Sequence, residues 1–64
     1  MQQFVVYHQF AKNSSIGRYH VSAENEHDAR SKALEQFKSY KDYRIEAVVP
    51  LLKSSEYERN HKIR

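Results

Sequence analysis

RYHVSA (residues 18–23), NEHDARSKALEQFKSYK (25–41) and DYRIEAVVP (42–50) form the stretch that decides the fold. The first segment alternates. Tyr19, Val21 and Ala23 share one side, and Arg18, His20 and Ser22 share the other, which is the period of a half-buried strand. We assign the first set to the core. Asn25 then offers a side-chain oxygen to the free amides of a first helical turn. Glu26 and Asp28 stand where the positive end of the helix dipole favours acids. Ala29, Ala33, Phe37 and Tyr40 recur at spacings of four, four and three, which makes one narrow apolar stripe widened by Leu34. The two alanines allow close approach to a sheet. Lys38 and Lys41 suit a helix C-terminus near Ser39 to Lys41. Beyond it Tyr43, Ile45, Ala47 and Val49 alternate with Arg44 and Glu46, and Pro50 ends the ladder.

Upstream, QFVVYHQF (3–10) is rich in branched and aromatic residues and reads as a strand. AKNSSIG (11–17) reads as the loop of a hairpin, with Gly17 free to take positive φ. A strand–helix–strand crossover is right-handed by rule, so the second and third strands run parallel. The first strand is the most apolar and belongs between them. The expectation is an α+β domain, ββαβ in strand order 2-1-3, over residues 1–53, with one helix on one face. Phe4 and Val6 are the more apolar pair and are placed toward the helix, which also buries His8. Val5 and Tyr7 then fall on a sheet face with no cover. Leu51 and Leu52 are placed over the end of the core. Residues 54–64 are charged and fit three forms: a short helix begun by Ser54 or Ser55, a late edge strand, or an unstructured tail.

Composition narrows the function. The 64 residues allow one domain at most. A domain of that size buries only about 60% of its unfolded surface, so a partner is a common source of added stability. There are no cysteines, which excludes disulfides and thiolate zinc sites. The longest uncharged run, Met1 to Ala11, is too short to span a bilayer and lacks the basic start of a secretory leader. A soluble, cytoplasmic protein with no membrane partner is expected. The net charge of +3 permits contact with nucleic acid or an acidic protein without requiring either.

Each candidate chemistry has a plainer reading beside it. His8 and His20 would face each other across a ladder in which Phe10 opposes Arg18, with Glu46 as a third metal ligand. Ordinary structural histidines explain them better, and no metal or other cofactor is expected. Glu24, Glu26 and Asp28 are explained by the helix dipole. One glycine gives no phosphate loop, and no nucleophile motif appears, so an enzyme is not expected. Binding remains. An outward Tyr7 flanked by Arg18, His20 and Arg44 would make a sheet face able to stack rings and hold phosphates. Arg59, Lys62 and Arg64 add a basic tail. These seven residues are the expected partner contacts. A solvated sheet face with an unstructured tail is the plain reading of the same residues; five tyrosines and three phenylalanines, many for this length, suit protein contacts or simply complete a small core.

YHVSAENEHDARSKALEQF (19–37) followed by YRIEAVVP (43–50) resembles small proteins of phages and mobile elements. The plasmid-borne DpnD/PcfM-like proteins share this outline, as does a small type I-F anti-CRISPR protein. The likeness lies in hydrophobic spacing over half the chain and carries no site residue. It implies a short, complete, non-enzymatic protein that occupies the surface of a larger host protein or ribonucleoprotein complex in the host cytoplasm. Direct DNA or RNA binding is the alternative, and a homodimer is the third reading.

Overall fold

The computed structural model describes residues 1–12 and 14–63. Three strands, β1 (Gln2–Gln9), β2 (Gly17–Ala23) and β3 (Arg44–Pro50), form one sheet in the order β2-β1-β3. Both outer strands are antiparallel to β1, so they run parallel to each other. Helix α1 (Glu26–Gln36) connects β2 to β3. A single 3₁₀ turn (Leu51–Lys53) then leads into a second helix, α2 (Ser54–His61). The fold is α+β with the expected strand order, but it has two helices rather than one.

The N-terminus of α1 is built as its residues dictate. Asn25 is extended and its side chain accepts from the Asp28 amide at 2.8 Å. The Asp28 carboxylate accepts in return from the Glu24 amide at 3.1 Å. One first-turn donor that lacks a helical partner, the Asp28 amide, and the Glu24 amide just ahead of the cap are thereby satisfied. The helix stops at Gln36, short of the expected Ser39 to Lys41. Phe37 leaves helical geometry at φ −114° and turns its ring into an aromatic cluster, while its amide still reaches the Ala33 carbonyl. Tyr40, counted as the last member of the apolar stripe, is 52% exposed.

Register assigns the two sheet faces. Phe4 pairs with Val21, Val6 with Tyr19 and His8 with Gly17, so these side chains share the α1 face. Phe4, Ala23 and Ala29 form the buried nucleus there, with Val21 and Val48 against it. The other face holds Gln3, Val5, Tyr7 and Gln9 of β1, with Ser22, His20 and Arg18 of β2.

β3 departs from simple alternation. Tyr7 pairs with Ala47 and His8 with Ile45, so Glu46 is the extra residue of a β-bulge. Ile45 lies on the α1 face, but Ala47 and Val49 pass to the opposite face and Val48 takes the inward place. The expected common face of Tyr43, Ile45, Ala47 and Val49 is therefore split.

Gly17 also has a different reason from the one expected, because no glycine has positive φ. A Cβ at Gly17 would lie 3.1 Å from His8 Nε2 and 3.2 Å from His8 Cδ2. The position is small because an imidazole lies over it. Leu51 and Leu52 were expected to cover the core; instead they are 40% and 97% exposed.

Candidate interaction surface

Tyr7, placed in advance on an uncovered sheet face, is 0% exposed, and Val5 beside it is 1% exposed. Helix α2 lies over them. The Tyr57 ring stacks on Tyr7 with centroids 4.8 Å apart, and His61 stacks on Tyr57 at 4.1 Å. Residues 57 and 61 are one helical turn apart, so both rings fall on the same side of α2. The Tyr7 hydroxyl donates to Glu58 Oε2 at 2.6 Å. Arg18 donates to both oxygens of the same carboxylate, from Nε and Nη2, at 2.8 Å each. This planar fork on a carboxylate fixes direction as well as distance. The open-face expectation is therefore corrected: the chain's own C-terminal helix occupies that face.

Electrostatics follow the same geometry. The Arg18 guanidinium and then the Tyr7 hydroxyl hold the Glu58 carboxyl down at about 2. Burial, reinforced by hydrogen bonding to Glu58, pushes the Tyr7 phenol up to about 12. Glu58 was not among the expected functional residues. Its partners lie 51 and 40 positions away in sequence, so local spacing could not reveal them. The four-residue spacing of Tyr57 and His61 was the available sign that residues 54–64 contain a helix with an adhesive side.

On the α1 face, His8 is 3% exposed and caged by rings. Phe10, Phe37 and Tyr43 stand 4.7, 5.1 and 5.2 Å from it, centroid to centroid. Its Nδ1 shares a 2.8 Å hydrogen bond with the Tyr43 hydroxyl. Burial lowers the His8 pKa below its ordinary 6.5 and pushes Tyr43 up to about 12. His8 is thus a neutral core residue. His20 pairs with Val5 and lies on the opposite face, so the imagined pair of facing imidazoles is not formed. Among the described residues no group of three metal-binding side chains comes together.

The remaining expected contacts are distributed as follows. Arg18, His20 and Arg44 do share the α2 face of the sheet, by their pairing with Tyr7, Val5 and Gln9. Arg18 is engaged by Glu58, and Arg44 lies 3.4 Å from Glu46 with most of its side chain in solvent. His20, Arg59 and Lys62 are exposed. Lys62 closes α2 in the left-handed conformation at φ 54°. Arg64 lies outside the described residues.

Clefts open to solvent mark the surface formed by the described residues. One of about 260 Å³ runs between α2 and β3, over Val49 and Tyr57. A second, of about 270 Å³, separates the β1–β2 loop from the end of α2. A third, of about 740 Å³, is an open groove between β2 and α1. Among the described residues no helix is long and apolar enough to cross a membrane. What the geometry defines is a three-stranded α+β layer with a helix on each face and two strand edges at its rim. No family model, curated protein or solved structure matches this chain.

Proposed function

We propose that this chain is a small non-enzymatic binding protein that modulates a larger protein or ribonucleoprotein complex by occupying its surface. The observation that carries the reading is how the chemically versatile side chains are used. Glu58, Tyr7 and Arg18 fasten α2 to the sheet, and His8 fills the aromatic core. The Cα trace extends only 13 Å along its thinnest axis, so most side chains lie at or near the surface. Surface-to-surface recognition suits such a body better than enclosure of a substrate. The phage or mobile-element setting, and inhibition of a host complex in the anti-CRISPR manner, rest on the hydrophobic spacing of residues 19–50 alone. The contacts proposed are the exposed side chains His20, Arg44, Arg59 and Lys62. Tyr7 is withdrawn from that set because it is buried.

Direct nucleic-acid binding is the second reading, favoured by the exposure of Arg44, Arg59 and Lys62 in a chain of net charge +3. Affinity capture from host lysate, with and without nuclease, separates the two. A protein partner retained after nuclease treatment supports the first reading. Loss of all captured protein on nuclease treatment, together with oligonucleotide binding that weakens steeply with salt, supports the second.

A further inference from the structure

The two helices are not equally built into the fold. α1 opens on the Asn25 cap and buries Ala29 and Ala33. α2 is eight residues long, follows Lys53 with no side-chain cap, and has no buried residue. A helix of that length is not stable alone in water, so it persists only while docked. Its docking rests on two neighbouring side chains. Tyr57 stacks on Tyr7, and Glu58 receives the Tyr7 hydroxyl and the Arg18 fork. A longer contact of 3.4 Å joins the same hydroxyl to the Ser54 carbonyl. Elsewhere the helix stands away from its neighbours. The open cleft of about 260 Å³ lies between it and β3 over Val49, and that of about 270 Å³ lies between its C-terminal end and the β1–β2 loop.

The α1 side of the fold is built without α2. The nucleus of Phe4, Ala23 and Ala29, with Val21 and Val48 against it, draws on the sheet and α1. The rings around His8 come from Phe10, Phe37 and Tyr43. Sheet and α2 are joined by one 3₁₀ turn after Pro50, in which Leu51 and Leu52 are exposed.

We propose that α2 is a latch: it undocks and melts as one unit while β1, β2, α1 and β3 stay folded, and Glu58 is the residue that holds it shut. Undocking uncovers Val5 and Tyr7 and frees Arg18, so the open chain presents a sheet surface that the closed chain hides. The closed form is the ground state, because undocking brings two fully buried side chains into water. Segments held by few buried groups are those that open below the free energy of global unfolding. This device goes beyond the binding-protein reading and does not depend on it.

Native-state hydrogen exchange of the full ¹⁵N-labelled chain, followed by NMR at low urea concentrations, tests it. The amides of residues 58–61 bond within α2, and those of residues 4–7 report on the central strand. The expected result is one common opening for residues 58–61, about tenfold or more as frequent as the opening that releases residues 4–7. Its urea dependence is weaker, because less surface is exposed. Val21→Ala weakens the nucleus, which stays packed in the open form. It therefore speeds exchange at residues 4–7 and leaves residues 58–61 unchanged. Glu58→Gln raises the opening of α2 about tenfold, whereas Glu56→Gln, at an exposed position, changes it by less than about threefold. A urea slope shared by α2 and β1, or equal acceleration of both by Val21→Ala, shows that α2 leaves only when the whole chain unfolds and overturns the latch. Exchange that quickens residue by residue toward His61 is fraying from the end, and overturns it too. Equal effects of the two glutamine substitutions overturn the role of Glu58.

Discussion

Replacing Tyr57 with alanine measures how firmly α2 is held to the sheet. The ring is mostly buried and stacks on Tyr7 at 4.8 Å. Losing about 80 Å² of buried ring surface costs about 2 kcal/mol at the usual coefficient. The aromatic pair adds about 1 kcal/mol beyond area. The sum, about 3 kcal/mol, is large for a domain of this size, whose whole stability is on the order of 3–10 kcal/mol. Urea unfolding followed by far-UV circular dichroism and tyrosine fluorescence gives the change directly. Leu52→Ala is the control: Leu52 is 97% exposed, so its removal is expected to change stability by less than about 0.5 kcal/mol. If Tyr57→Ala costs no more than that control, the ring is not seated on Tyr7 and the second face of the sheet is not closed by α2.

Three further outcomes are expected. The Glu58 carboxyl is held at about 2 in the fold against an ordinary 4.5, so its contribution is whole above pH 4.5 and fades as pH falls toward 2. Thermal midpoints should drop over that window, and Glu58→Gln should flatten the drop. His8 acts in the same direction for a different reason. Its folded pKa is lowered by burial, so the unfolded chain takes up a proton first and stability declines as pH falls below 6.5. Proton NMR of the imidazole should show His8 still neutral at a pH where a free histidine is half-charged. Gly17→Ala should cost about 1–2 kcal/mol, because the new methyl crowds a ring that Phe37 and Tyr43 hold in place. A neutral or stabilising result in urea unfolding would mean that His8 has room to move.

The β2–α1–β3 core could be read from the sequence because its signals are local. Alternation over residues 18–23 and the Asn25 cap with its Ala29–Ala33 stripe each depend on neighbours within one or two turns. The features that escaped are those in which distant residues decide. The bulge at Glu46 depends on how β3 meets β1, and the run Ala47-Val48-Val49 offers apolar side chains in either phase. The early end of α1 reflects Phe37 joining His8, Phe10 and Tyr43, three residues from two other parts of the chain. The largest correction, the closed second face, turns on a carboxylate in the last helix that meets Tyr7 and Arg18 from the first two strands. Tyr7, Arg18, His20 and Arg44 were correctly gathered on one face by alternation, but alternation says nothing about what lies on top of them.

Rotating-frame and conventional NOE spectra of the native chain address the closed face without any substitution. Contacts between the Tyr7 and Tyr57 ring protons, with slowed hydrogen exchange through residues 55–61, are the predicted result. A Tyr7 ring with no neighbour from α2, together with amides in that helix exchanging as fast as in a free peptide, would contradict the closed face, and the sheet surface would again be open to a partner.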